Sequence, residues 1–173
     1  MFLKILGSVF IIFSTSFLGY LLGMEKKNRL KQLRQLKKAG YLLRGEIQYG
    51  YTPLPEALIN LGERSQTVFS EFFISVAEKL KKYEGESFYG IWEKEIKENL
   101  IKTSLQAGDK RKLMALGENL GYLDQEMQIK NIDLYLDGLE EEIKVEMNSQ
   151  NEKIRLYQLL GVLSGIFVTI VML

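Results

Sequence analysis

The chain has 173 residues, with 23 Lys and Arg against 22 Asp and Glu, and it contains neither cysteine nor histidine. This composition excludes disulfides, zinc sites built from cysteine or histidine, and acid–base catalysis by histidine. The near-neutral total conceals a polarised layout: residues 24–45 hold eight basic side chains and one acidic, whereas residues 46–155 hold 14 basic and 21 acidic.

Both ends of the chain are free of charge over long stretches, at residues 5–23 and 156–173. An apolar helix of about 18–20 residues spans a hydrocarbon core of roughly 30 Å. We therefore predict a transmembrane helix at 1–23, a helical domain at 24–155 and a second transmembrane helix at 156–173. Each span also has two glycines on one helix face, which favours close packing in a membrane, with ordinary glycine usage as the alternative: Gly19 and Gly23, and Gly161 and Gly165.

A basic segment follows the first apolar stretch directly. Its positive side chains are Lys26, Lys27, Arg29, Lys31, Arg34, Lys37 and Lys38. Lysine and arginine beside a membrane span favour the cytoplasmic side, which predicts a two-pass protein of the cell membrane with its domain in the cytoplasm. The same residues are expected to contact anionic lipid. Nucleic-acid binding is disfavoured because no aromatic residue interrupts these charges before Tyr41.

Apolar residues recur at helical spacing along the domain and predict an all-α fold, a six-helix antiparallel bundle. The first helix continues to about Gln48, where Gly50–Pro53 breaks it, and the second runs from Pro55 to about Arg64. The expected inner face of the first helix is Leu30, Leu33, Leu36, Gly40, Leu43 and Ile47. The expected inner face of the third is Phe69, Phe72, Phe73, Val76, Leu80 and Tyr83.

Capping residues predict where the last three helices begin. Ser87 is expected to cap the fourth helix, Asp109 the fifth and Asp124 the sixth, while Gly121 permits a tight turn with positive φ. The fourth helix is expected to bury Phe88, Ile91, Trp92, Ile96 and Leu100, and the fifth Leu113, Leu116 and Leu120. The stripe of the sixth is Ile129, Ile132, Leu136, Leu139, Ile143 and Met147, and this helix is expected to continue into the second apolar stretch.

Signatures of enzymes are missing from the sequence. It has no phosphate-binding loop, dinucleotide fingerprint or nucleophile elbow, so we expect no catalytic activity, no cofactor and no metal. The acidic residues Glu118, Asp124 and Glu126 offer an alternative, a divalent-ion-dependent membrane protein with carboxylate ligands. A helix cap at Asp124 and a first-turn acid at Glu126 explain two of these residues more simply.

Two short segments resemble a known family. Residues 50–58 (GYTPLPEAL) and 117–124 (GENLGYLD) resemble the "G-x-P-L-x-E-A-L" and "G-E-x-x-G-x-L-D" segments of the inner-membrane platform proteins of type II secretion and type IV pilus systems. Over essentially the whole chain the sequence more closely resembles the stage III sporulation protein AB family. That match is carried by E-I-x-Y-G-x-T-P-L at 46–54, L-G-x-x-D-x-x-x-Q-x-K-x-I at 120–132 and L-G-x-L-x-G at 160–165.

The resemblance implies a function that composition does not. It implies a non-enzymatic membrane platform in the sporulation channel between mother cell and forespore, in the outer forespore membrane, with its domain on the mother-cell side. The implied partners are a secretion-type ATPase of the stage III sporulation protein AA kind and other channel subunits, and a homo-oligomer is left open. A membrane-anchored scaffold that binds lipid through residues 26–38 is the alternative. The motif residues implied in partner contact are Pro53, Glu56, Gly117, Glu118, Gly121 and Asp124.

Overall fold

The structure is a computed structural model that describes residues 2–172 apart from 51, 66, 83–84 and 122–123. In the outer parts of the first and last helices, the backbone is described but many side chains are not. These are the side chains of residues 2–6, 8–12, 16, 149–155, 157–158, 161–162, 165, 168–169 and 171–172.

The described residues form six α-helices and no β-strand. In chain order the helices are α1 (Phe2–Gln48), α2 (Leu54–Ser65), α3 (Ser70–Lys81), α4 (Phe88–Asn99), α5 (Ala107–Leu120) and α6 (Gln125–Met172). The all-α class and the number of helices are therefore confirmed. So are the end of the first helix at Gln48 and the continuation of the last helix into the second apolar stretch.

Contacts within the chain divide it into two compact units. The terminal unit comprises Met1–Leu30 and Lys144–Leu173, and the bundle unit comprises Lys31–Ile143. These borders come from contacts, whereas the domain borders after residues 23 and 155 come from charge and stay predictions. Over the part of the chain that the structure describes, no helix is both long enough and apolar enough to cross a membrane.

The short helices of the bundle unit pack in sequence around an aromatic core. Helix α2 packs on α3, α3 on α4, and α4 on α5. The Phe72 and Trp92 rings meet edge to face with their centroids 4.9 Å apart, and Trp92 Nε1 donates a hydrogen bond to the Leu113 carbonyl at 2.8 Å. An indole that satisfies its only polar atom in this way can be fully buried without the cost of an unmade hydrogen bond.

Helices α1 and α6 run antiparallel within the bundle unit and are joined by polar contacts along their length. Arg44 Nε donates to Asp133 Oδ1 at 2.6 Å, and Lys37 Nζ donates to Glu140 Oε2 at 2.9 Å. Between these ion pairs the helices come close, because a Cβ placed on Gly40 would lie 2.8 Å from Leu136 Cδ2. Thus α1 supplies the bases and α6 the acids of one seam.

The predicted inner faces are largely buried, except that Met147 is exposed and Leu80 and Ile129 are partly exposed. Every predicted apolar position of α1, α4 and α5 is buried. On α6, Met147 is 48% exposed, so its place in the buried stripe was wrong; the stripe ends at Ile143. Phe69 is buried but precedes α3, which begins at Ser70, and Tyr83 lies outside the described residues.

Two of the three predicted caps are confirmed. Ser87 Oγ accepts a hydrogen bond from the Gly90 amide at 3.1 Å, and Asp124 Oδ1 accepts one from the Met127 amide at 2.9 Å. The prediction for Asp109 was wrong. Gln106 is the N-cap of α5, and Asp109, three residues further, accepts the Gln106 amide at 2.8 Å. An acid three residues into the helix satisfies the cap amide from the opposite direction.

Candidate partner-binding site

The two glycines of the segment 117–124 form a packing seam with α4. A Cβ placed on Gly117 would lie 2.6 Å from Trp92 Cγ, and one placed on Gly121 would lie 2.7 Å from Phe88 Cβ. Side chains four residues apart on a helix share one face, so Phe88 and Trp92 lie against the two glycines in register. The glycine spacing therefore admits two aromatic rings, which stack with centroids 5.5 Å apart.

Gly121 lies in the turn after α5, as expected, but without the positive φ that glycine allows there. Its φ is −82°, an ordinary right-handed value that any residue adopts. The requirement for glycine at this position comes from the closeness of Phe88, which leaves no room for a Cβ. Among the described glycines, positive φ occurs at Gly85, whose φ of 82° lies in the loop before α4.

Glu118, like the following residue Asn119, lies on the exposed side of α5. Its side chain is exposed, whereas Gly117 and Leu120 are buried. It lies near Tyr89 of α4, whose pKa is raised mainly by burial and further by the negative charges of Glu93 and Glu118. Tyr89 was not recognised from the sequence. Only the pairing of α4 with α5 brings it beside Glu118, and no sequence signal gives that register.

The acidic residues of this region do not assemble into a metal site. Across the residues that the structure describes, no group of three or more carboxylates is placed to hold a metal ion. Asp124 caps α6, and Glu126 pairs with Lys130 one turn further along α6 at 2.9 Å. The described residues therefore show Asp124 and Glu126 in local contacts within α6, and they do not place Glu118, Asp124 and Glu126 together as one group of ligands.

The second motif, at 46–54, is organised by one carboxylate. Glu46 Oε2 accepts hydrogen bonds from Thr52 Oγ1 and Asn60 Nδ2, both at 3.1 Å, and Glu46 Oε1 pairs with Arg64 NH1 at 2.8 Å. Glu46 thus ties the end of α1 to the following loop and to α2. The motif residues Pro53 and Glu56 are exposed nearby, with Glu56 3.5 Å from Lys81 Nζ.

The predicted lipid-facing basic residues fall into three groups. Arg29 is only 4% exposed and is paired with the buried Glu146, so it is unavailable to lipid and its assignment is corrected. Lys37 is partly exposed and pairs with Glu140, which raises the pKa of the lysine through their hydrogen bond. The others lie at the surface, fully or in part: Lys26, Lys27, Lys31, Arg34 and Lys38.

A groove on the bundle unit gathers some of these basic residues. It has a volume of about 450 Å³ and is lined by Arg34, Lys37, Lys38, Tyr41, Leu42 and Ile143. Sequence reasoning treated the basic residues as a lipid-facing segment and did not expect a groove. Its apolar floor includes Ile143 of α6, a residue 105 positions after Lys38 that only the fold brings alongside.

The four glycines predicted to pack membrane helices are covered in part by the structure. Gly19 and Gly23 are buried, although the three residues between them are exposed. This pattern places both glycines on the inner side of α1 in the terminal unit. Gly161 and Gly165 belong to α6, and their surroundings lie outside the described residues.

Comparison with known proteins yields consistent matches. The family model described as stage III sporulation protein AB matches residues 4–173. The chain is 30% identical to the stage III sporulation protein AB of Bacillus subtilis (strain 168), over 99% of each chain. A solved structure of a stage III sporulation protein AB is similar with a TM-score of 0.65 and 31% identity, covering 72% of this chain and 98% of that one. On these matches, the chain belongs to the stage III sporulation protein AB family.

Proposed function

We propose that this chain is a non-enzymatic membrane platform that couples a cytoplasmic secretion-type ATPase to the channel between mother cell and forespore. Family membership supports a role in sporulation. The ATPase would be of the stage III sporulation protein AA kind, and the other channel subunits would contact the same platform. The uncharged stretches at 5–23 and 156–173 would anchor both ends in the membrane, with the basic residues at 24–45 keeping the bundle unit in the cytoplasm.

One observation carries the proposal of a partner surface. Within the 117–124 segment, Gly117 and Gly121 accommodate aromatic rings and Asp124 caps α6, so each of these residues has a role inside the fold. Glu118 is exposed and interacts with Tyr89 of α4 through its charge and a hydrogen bond. An exposed carboxylate at this position is suited to bind a basic side chain of the ATPase.

The test compares Glu118→Ala with Glu63→Ala in the full chain. Both glutamates are exposed and each lies two residues before the last residue of its helix, so the helical effects of the two substitutions match. We expect Glu118→Ala to weaken co-purification of the ATPase and to lower sporulation, while Glu63→Ala changes neither. Both variants should melt within about 2 °C of the wild type, because surface substitutions cost little.

Normal ATPase recovery and normal sporulation with Glu118→Ala would refute this contact. Early melting of Glu118→Ala would instead assign the carboxylate to the Tyr89 interaction within the bundle. Topology is checked separately with a reporter fused after Leu173, which should be active outside the cytoplasm. A reporter active only inside would refute the two-pass arrangement.

A lipid-binding scaffold is a second candidate role, favoured by the basic residues closest to the first apolar stretch. Lys27 and Lys31 are exposed and Lys26 is partly exposed. Replacing these three lysines with glutamine should leave ATPase co-purification intact if the platform role is correct. If the chain acts mainly as a lipid scaffold, the same triple variant should abolish sporulation while Glu118→Ala leaves it unchanged.

A further inference from the structure

The outward face of α1 in the bundle unit is basic, and two of its charged side chains have no partner among the described residues. Lys31, Arg34, Lys38 and Tyr41 are exposed and follow one another at steps of three and four residues, which places them on one helix face. Among the described residues, none forms an ion pair or hydrogen bond with Arg34 or Lys38. Lys37, on the adjoining side, is by contrast paired with Glu140.

The groove gives this face a specific chemistry. Arg34 and Lys38 supply positive charge, while Tyr41, Leu42 and Ile143 supply an aromatic and aliphatic surface. A ligand that fits must therefore carry a carboxylate or another anion next to an apolar group. A peptide helix with an acid and a leucine on one face meets both requirements.

The outward face of α6 in the same unit has that composition. Met127, Lys130, Leu134, Asp137 and Glu141 are exposed and again follow steps of three and four residues. Leu134 is 72% exposed and Met127 is 53% exposed, values that are high for large apolar side chains. Leu134, Asp137 and Glu141 thus lie together on the outer side of α6. Among the described residues, none forms an ion pair with Asp137 or Glu141.

Two glycines on these outward faces are not explained by any contact with the residues that the structure describes. A Cβ added to Gly45 or Gly138 would meet nothing within 4 Å. Alanine is the better helix former at such positions, and among the described residues no close contact requires glycine there. Gly45 follows Tyr41 by four residues and Gly138 follows Leu134 by four, so each extends the face in question. A flat glycine surface lets a second helix approach closely.

We propose that two copies of this chain pair through the outward faces of α1 and α6, each copy placing its Leu134–Glu141 stripe in the groove of the other. In a twofold pair both copies use the same surface. The basic stripe of each copy therefore contacts the acidic stripe of the other, and this contact forms twice. Asp137 and Glu141 of one copy then oppose Arg34 and Lys38 of the other, and Leu134 covers the apolar floor.

A second copy fits the groove better than an anionic lipid does. The bundle unit carries 16 basic and 19 acidic side chains, so its net charge repels an anionic membrane. A lipid headgroup would also leave the exposed Leu134 and the acids of α6 unexplained. Pairing of two copies engages both stripes at once, and it does not depend on the ATPase contact proposed for Glu118.

Charge reversal tests the pairing in the full chain purified in detergent. By sedimentation, we expect Lys38→Glu and Asp137→Lys each to weaken self-association at least tenfold through like-charge contacts. The double variant, which restores opposite charges with reversed sign, should recover association to within about threefold of the wild type. Lys102→Glu, at an exposed position after α4, is the matched control and should change nothing.

Cysteine cross-linking tests the same contact in membranes, because the chain has no cysteine of its own. Copies bearing Lys38→Cys and copies bearing Asp137→Cys should form a disulfide dimer when co-expressed. Copies bearing Lys38→Cys with copies bearing Glu71→Cys, on α3, should not.

Three outcomes would overturn the proposal. They are a monomer at all concentrations, self-association unaffected by the single charge reversals, and a double variant that stays as weak as the single ones. Vesicles containing phosphatidylglycerol separate the lipid source. Suppose that the protein does not pair, that Lys38→Glu abolishes vesicle binding and that Asp137→Lys retains it. This result would assign the groove to lipid and refute the pairing.

Discussion

Gly117 on α5 and Gly138 on α6 both lie inside a helix, yet their surroundings are opposite. Gly117 lies against the Trp92 ring with no room for a Cβ, while a Cβ on Gly138 would meet nothing within 4 Å. The first glycine is explained by the seam between α4 and α5. The second is not explained by any contact within the described chain. Two glycines that look alike in the sequence therefore differ in their surroundings: packing requires the first, and no contact among the described residues requires the second.

The largest expected effect is at the seam. Gly117→Ala should destabilise the protein by about 3 kcal/mol, because the added methyl overlaps a ring held by its hydrogen bond to the Leu113 carbonyl. Thermal or chemical unfolding measures this loss. Gly108→Ala, on the same helix with nothing within 4 Å of its Cβ, is the control and should be neutral or slightly stabilising. Equal effects at the two positions would remove the distinction.

The inner side of α6 offers a second contrast with its outer side. The Tyr135 hydroxyl is buried without a hydrogen-bond partner among the described residues, and burial, reinforced by the charge of Asp109, raises its pKa. Tyr135→Phe removes the unsatisfied hydroxyl and should stabilise the protein by about 1 kcal/mol at pH 7. Unfolding at pH 7 measures the gain in stability. A loss of stability of the same size would contradict the prediction and would mean that the hydroxyl is well solvated.

The same variant should change the response to alkali. In the unfolded chain a tyrosine loses its proton near pH 10, whereas the folded protein keeps the proton on Tyr135. Above that pH the free energy of unfolding of the wild type therefore falls by about 1.4 kcal/mol per pH unit from this group alone. Tyr135→Phe should lack this component, so the advantage of the variant should grow between pH 10 and 11. A constant difference across that interval would contradict the assignment.

The sequence predicted those features whose determinants lie close together in the chain, and it missed those whose determinants lie on another helix. Helices, most of their inner faces and the caps at Ser87 and Asp124 depend on residues within a few positions of each other, and periodicity and local hydrogen bonding predicted them. The turn at Gly121 was predicted, but the close contact that requires glycine there comes from Phe88 on another helix, and local sequence patterns do not reveal it. Arg29 was grouped with lipid-facing residues because its partner, Glu146, is 117 positions away.

Asp124, at the end of the 117–124 segment, allows a helix cap to be compared with a surface ion pair on the same helix. Its carboxylate accepts the Met127 amide at 2.9 Å, so Asp124→Ala should cost about 1 kcal/mol by removing the cap of α6. Glu126→Ala is the control, since its pair with Lys130 on the same helix is exposed to solvent and contributes little to stability. Unfolding midpoints of the two variants measure the difference. Equal midpoints would show that the cap hydrogen bond contributes nothing beyond a surface ion pair.

The smallest expected change in stability tests the outward face itself. Gly138→Ala should stabilise the helix by about 0.5–1 kcal/mol, because alanine is the better helix former and its methyl meets no atom within 4 Å. Unfolding of dilute, monomeric protein measures this gain. At concentrations where copies pair, the same methyl should weaken association by separating two closely opposed helices. A variant that is more stable and pairs normally would leave Gly138 without a role at the interface. One that is less stable when dilute would show that this glycine, like Gly117, is required by the fold of a single chain.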